Sequence, residues 1–256
     1  TPASFPRLEV AEGETMLLSK KDCRCFFDQL ALPANLQPWT ARPPVLFAEL
    51  VDIGEVPISL IRSLLQDGVR VREHDLLYPV SLVWCMGFAW SSYVAQSTLL
   101  DACRGAGFSD GIAICDSLPT PVGRGEAYAL ATDDVMHFST SGPGLSKRRM
   151  DELDRELLER GLQKHPAKDE LAVADGTCLG IDLCNGSYFA SHAPRLASFI
   201  RAVLEVLFRG EVSPKGLNAL MGIAQWMMLL NRPLFSALDA VYPFMRLEPD
   251  TEVRPI

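Results

Sequence analysis

The sequence predicts an α+β fold, with strands and helices mixed up to about residue 190 and helices alone from there on. Three observations carry this expectation. Residues 128–138 hold two short apolar arms around Thr132-Asp133-Asp134, and Asp tolerates tight-turn geometry, so the segment reads as a β-hairpin. Residues 144–161 place Met150, Leu153, Leu157 and Leu158 on one face of a charged amphipathic helix. Ser213-Pro214, an N-cap followed by a first-turn proline, opens a helix to about residue 230, after a helix over 194–208 closed by Gly210. The change of pattern suggests two domains, 1–190 and 191–256.

In chain order, residues 1–14 are polar and broken by Pro and Gly, and residues 16–19 form a short strand running into Lys20-Lys21-Asp22. A turn of helix follows through Phe26-Phe27. Pro33, Pro38, Pro43 and Pro44 argue against long regular elements between residues 32 and 57. A helix is expected over 58–65, a strand over 82–85, and, after Gly87, a helix over 91–103 ending at Gly105. Further strands are expected over 170–174 and 178–183, and a last helix over 234–245.

Composition sets bounds. A chain of 256 residues with 48% hydrophobic and 22% charged residues can bury a substantial globular core. A net charge of −8 runs against phosphate binding, which Lys and Arg drive, although a site that gathers carboxylates for metal ions is locally acidic in any case. The seven cysteines include no CxxC pair, which points to free thiols in a reducing, intracellular compartment. No apolar run reaches the length of a membrane span and no signal peptide opens the chain. The first residue is Thr, which suggests a piece of a longer reading frame.

Three segments can carry chemistry. Asp133-Asp134 sets two adjacent carboxylates at a hairpin tip, although an isolated pair of this kind is most simply a solvated turn. Asp22 ends an apolar strand and is followed five residues later by the aromatic Phe27. Gly87, Ser91 and Gln96 form a glycine turn feeding a helix, and a well-packed helix is the plain alternative there. The order of the three along the chain discriminates where each alone does not.

In that order they resemble the reverse transcriptase domain, closest to the retrotransposon enzymes. The family has an Asp ending a strand with an aromatic five residues on, matched by Asp22 and Phe27, and often a doubled aromatic, matched by Phe26-Phe27. It has a glycine-turn segment, matched by Gly87, Ser91 and Gln96, and an Asp-Asp hairpin, matched by Asp133 and Asp134. Cys178-Leu179-Gly180-Ile181-Asp182-Leu183 is similar to the hairpin that grips the primer, and Lys168 stands where the family often has a lysine near the incoming triphosphate. The resemblance covers roughly residues 15–246.

It implies a palm, an antiparallel sheet packed on helices, followed by a helical thumb-like region, with the fingers largely missing. It also implies two Mg²⁺ ions, or Mn²⁺ in their place, held by Asp22, Asp133 and Asp134, since Mg²⁺ takes carboxylate, phosphate and water oxygens. Asp22 and Asp133 would bridge the metals, with Asp134 in support. The backbone of Cys23, Arg24, Cys25 and Phe26 would cradle the dNTP, Phe27 would exclude a 2′-hydroxyl, and Gln96 would contact the template-nucleotide pair beside Gly87. Leu179, Gly180 and Ile181 would hold the primer, and Lys168 would neutralise or protonate the leaving pyrophosphate. The implied partners are an RNA or DNA primer-template and dNTPs.

The chain departs from the family at Ala131, where an aromatic is usual, and only Arg7, Lys20 and Lys21 supply cations before Asp22. These departures keep a second reading open, a catalytically silent scaffold of the same fold that binds RNA or protein.

Overall fold

The structure, a computed structural model, describes residues 2–8, 10–65, 68–115, 119–121 and 123–255. Its strands are β1 (Leu17–Asp22), β2 (Val45–Leu46), β3 (Leu76–Leu77), β4 (Glu126–Ala131), β5 (Asp134–Ser139), β6 (Glu170–Val173), β7 (Gly176–Cys178), β8 (Ile181–Cys184), β9 (Tyr188–Ser191), β10 (Glu211–Val212) and β11 (Arg254–Pro255). The helices are α1 (Phe47–Asp52), α2 (Ile58–Leu64), α3 (Ser91–Gly105), α4 (Pro143–Glu159), α5 (Ala193–Arg209), α6 (Pro214–Met228) and α7 (Tyr242–Met245). The chain forms two compact units, one built from residues 1–24 and 96–256, the other from residues 25–95. The helices beyond residue 190 belong to the same unit as the main sheet.

The larger unit is organised by a four-stranded antiparallel sheet in the order β4-β5-β1-β6. Side chains alternate across a strand. On one face of the sheet Leu18, Ala129, Met136 and Phe138 therefore meet Phe5, Met16 and the β7–β8 residues Cys178, Ile181 and Leu183 in a buried cluster. Burial of each large aliphatic side chain there contributes about 1.5–3 kcal/mol before the entropy of ordering it is counted. Lys21, Val135 and His137 lie on the opposite face, where α4 packs and contributes the buried Met150, Leu153 and Leu157. Leu158, expected on that apolar face, is 78% exposed, because one residue turns the helix by about 100°.

Other expectations need correction. Residues 82–85 form no strand, only an isolated bridge from Val83 to Ala31, with Trp84 N donating to Leu30 O. The stretch beyond residue 190 is not purely helical, since β10 pairs with β11, and β9, ending at Ser191, completes a three-stranded sheet with β7 and β8. The last expected helix is broken into a 3₁₀ stretch, Leu229–Leu238, and the short α7. Asn231 leaves helical geometry at φ −143°, and Pro233 lacks an N–H to donate. Among the described residues no helix is long and apolar enough to cross a membrane.

In the smaller unit, β2 pairs with β3, and the turn of helix expected at Phe26-Phe27 is a 3₁₀ turn, Phe26–Gln29. Helix α3 begins just before the boundary at residue 95 and continues into the larger unit.

Candidate active site

Strands β4 and β5 form the expected hairpin. Ala131 pairs with Asp134, so Thr132 and Asp133 make a two-residue turn. Such turns need a positive φ at their first central position, and Thr132 supplies it at 58°, a strained value for a β-branched residue. The turn is tied to β1 by Cys23 N, which donates to Asp133 O at 2.9 Å.

The same pairing sets the acids. Asp22, the last residue of β1, stands opposite Asp134, the first of β5, and the two carboxyl groups share a hydrogen bond. Residues 163–165 lie along the end of β1, with Arg24 N donating to Gln163 O at 3.0 Å and His165 N to Asp22 O at 2.8 Å. The chain then makes a 3₁₀ turn, Pro166–Lys168, and Lys168 Nζ returns to Asp22 Oδ2 at 2.8 Å.

Asp22, Asp134 and Lys168 line a cleft of about 460 Å³ together with Leu179 and Gly180 from the β7–β8 turn. Leu179 and Gly180 have φ of 50° and 71°, the two positive values that a type I′ turn requires. Trp226 Nε1 of α6 donates to Leu179 O at 2.8 Å and holds the turn from behind. A Cβ on Gly180 would come within 2.9 Å of the Arg195 guanidinium.

The electrostatics follow from crowding. Burial first, then the charges of Asp133 and Asp22, push the Asp134 carboxyl up to about 6. Burial raises Asp133 as well. The hydrogen bond to Asp22 raises the Lys168 ammonium, which is therefore a firm cation at neutral pH. Cys23, buried and beside these acids, is pushed up to about 12 and stays a thiol, so it is no nucleophile.

Of the residues expected from sequence, Asp22, Asp134, Lys168, Leu179 and Gly180 are thus gathered in one cleft. Asp134, rather than Asp133, is the cross-strand partner of Asp22. Asp133 is only part-buried in the turn. Ile181 is fully buried in the core, so its side chain is not available to a primer. The Cys23 and Arg24 amides donate to Asp133 O and Gln163 O.

In the smaller unit Cys25 has a left-handed φ of 44°, Phe26 is buried and Phe27 half-buried. Gly87, at φ 94°, turns the chain ahead of α3, and Ser91 Oγ donates to Cys85 O at 2.7 Å to fix that turn. Gln96 is exposed on α3. Sequence reading missed Lys20, Asp169, Glu170 and Thr177, which also line the cleft. A signal was present for two of them, because Lys20 shares a strand face with Asp22 and Asp169 adjoins Lys168.

The donor set suits a hard divalent cation, with carboxylate oxygens from two adjacent strands and a raised carboxyl that a cation would relieve. Among the described residues no three His, Cys, Asp or Glu side chains are grouped as a ligand set. The carboxylates are instead paired with each other and with Lys168.

No family model and no curated protein sequence matches the chain. Among solved structures, the chain is similar to a foamy viral protease-reverse transcriptase dRH in complex with double-stranded DNA, at a TM-score of 0.52 and 14% identity over 89% of this chain and 31% of that one. It is similar also to a foamy viral protease-reverse transcriptase in complex with an RNA/DNA hybrid, at 0.53 and 14% over 88% of this chain and 24% of that one. The chain therefore spans less than a third of these proteins, and at this identity the likeness shows a shared reverse-transcriptase-like fold.

Proposed function

We propose that this chain is the palm and thumb portion of a retrotransposon-type reverse transcriptase, adding dNTPs to a primer 3′-hydroxyl on an RNA or DNA template. The observation that carries the reading is the single cleft that brings Asp22 and Asp134 together with Lys168 and the Leu179-Gly180 turn. These residues come from four separate stretches of sequence and stand in the order that the polymerase requires.

Asp22, Asp133 and Asp134 would hold two Mg²⁺ ions, which when bound stabilise the charge on the attacking and leaving oxygens. The remaining roles fall to the chain itself. Lys168, flexible at its tip and cationic, exchanges Asp22 for the negative charge of the departing pyrophosphate, which it neutralises or protonates. The Leu179-Gly180 turn would meet the primer strand, and Trp226 keeps that turn in place. The β1–β5 register fixes the separation of Asp22 and Asp134, so the acids need no rearrangement to act together.

The test is template-directed extension of a labelled primer by the protein with Mg²⁺ or Mn²⁺, on RNA and on DNA templates. Extension lost in Asp22→Asn and Asp134→Asn supports the reading. Tight primer-template binding with no extension under any of these conditions would establish the silent scaffold in its place.

A further inference from the structure

At the edge of the cleft, Lys21 on the far face of β1, Asp154, Lys164 and the cleft-lining Asp169 form a closed ring of alternating charge. Lys21 Nζ lies 2.7 Å from Asp154 Oδ1 and 3.1 Å from Asp169 Oδ2. Lys164 Nζ lies 2.6 Å from Asp154 Oδ2 and 2.9 Å from Asp169 Oδ2. The ring is part-buried, with the Lys21 side chain only 8% exposed and Asp169 23%. Sheltered ion pairs are a weak source of net stability, because desolvation offsets most of their attraction.

Its placement points to another role. Lys21 is the strand neighbour of Asp22, Asp154 stands on α4, and Lys164 and Asp169 bracket the segment that carries Lys168. The Lys164–Asp169 contact links the two ends of that segment to each other, while Lys21 and Asp154 anchor both ends to the sheet and to α4. Inside the segment, Pro166 stiffens the turn and Lys168 N donates to His165 O at 2.9 Å. The loop backbone is held, and from it the Lys168 ammonium reaches Asp22 Oδ2 at 2.8 Å.

We propose that this ring is a positioning device for Lys168, and that Lys21, Asp154, Lys164 and Asp169 set where its ammonium can reach; the catalytic half of this proposal rests on the polymerase reading above. A lysine stem has four rotatable carbons, so the accuracy of its tip depends on a fixed base. A misplacement of about 1 Å at a reacting centre costs on the order of 100-fold in rate.

Asp154→Asn removes a ring charge without touching the cleft. We expect the acylation rate of the Lys168 amino group, followed by peptide mass spectrometry, to rise about fivefold as its contact with Asp22 loosens. Primer extension falls about tenfold in kcat with KM for dNTP little changed, and combining Asp154→Asn with Lys168→Met gives no further loss beyond Lys168→Met alone. Lys164→Gln, at a ring position of the opposite sign, serves as a second variant with the same signature, and Lys164→Arg restores wild-type labelling.

Unchanged Lys168 labelling in folded Asp154→Asn and Lys164→Gln overturns the proposal, and so do losses that multiply with that of Lys168→Met. Wild-type protein that extends no primer overturns the polymerase reading alone, since the labelling comparison still decides whether the ring positions Lys168.

Discussion

Asp22 and Asp134 face each other across the last rung of the β1–β5 ladder and share a hydrogen bond between their carboxyl groups. Burial first, and then the charges of Asp133 and Asp22, hold the Asp134 carboxyl above its ordinary value. The consequences of that pairing are measurable in the free protein.

Asp134 binds its proton more tightly in the folded chain, at about 6, than in the unfolded chain, near 4. Its stabilising contribution is therefore full below about pH 4 and lost as pH rises through about 6. Thermal unfolding followed from pH 4 to 8 should show this loss in wild type and a flatter profile in Asp134→Asn. At pH 7.5 the variant should be the more stable by about 1 kcal/mol, a figure already reduced for solvent screening. A variant that melts below wild type at pH 7.5 would contradict the sign of the argument.

On the proposed reading, a divalent cation would relieve the same crowding from the other side. Mg²⁺ or Mn²⁺ at about 100 times its Kd should stabilise wild type by roughly 2.7 kcal/mol, read as a rise in Tm at pH 7.5. Asp22→Asn and Asp134→Asn should lose that rise. A wild-type Tm that ignores both cations up to roughly tens of millimolar rules out the carboxylates as a metal site at useful affinity.

Thr132 holds a φ of 58° at the hairpin tip. Thr132→Gly should remove that strain and stabilise the fold by about 1 kcal/mol in denaturant titration, since non-glycine residues in sparsely populated backbone regions cost about 1–3 kcal/mol and glycine gives part of this back as entropy. An unchanged or lowered midpoint would show that the turn is not strained.

Gly180 combines a φ of 71° with the Arg195 guanidinium 2.9 Å from where a Cβ would lie. Gly180→Ala should destabilise by about 1–2 kcal/mol and shift Trp emission, because Trp226 bonds to the adjoining Leu179 carbonyl. Wild-type stability in this variant would show that the turn relaxes freely.

Much of this was legible in the sequence. The hairpin around Asp133-Asp134 and the helices at 143–159, 193–209 and 214–228 fall within a few residues of their expected positions, because periodicity, Gly210 and Ser213-Pro214 are local signals. What was not legible is non-local. No local pattern shows that Asp22 pairs with Asp134 rather than Asp133, since that depends on strand register. Nor does any show that Lys21 and Lys164 share two carboxylates, or that Ile181 is wholly buried beside a turn whose other residues face the cleft. The helix expected over 194–208 is present as α5, yet Leu204, Leu207 and Phe208 on it remain more than half exposed, which local sequence cannot tell from a buried face.

The alternation along β1 has one last consequence, for how such a chain can diverge. Lys20 and Asp22 look into the cleft while Lys21 looks away toward α4. Substitutions can accumulate around this arrangement one at a time, each at a bounded cost. Losing or gaining a single residue within β1 cannot be absorbed in the same way, because it turns the strand over and exchanges the acid for a lysine at the mouth of the cleft. Divergence in this sheet should therefore be rich in point changes and poor in changes of length.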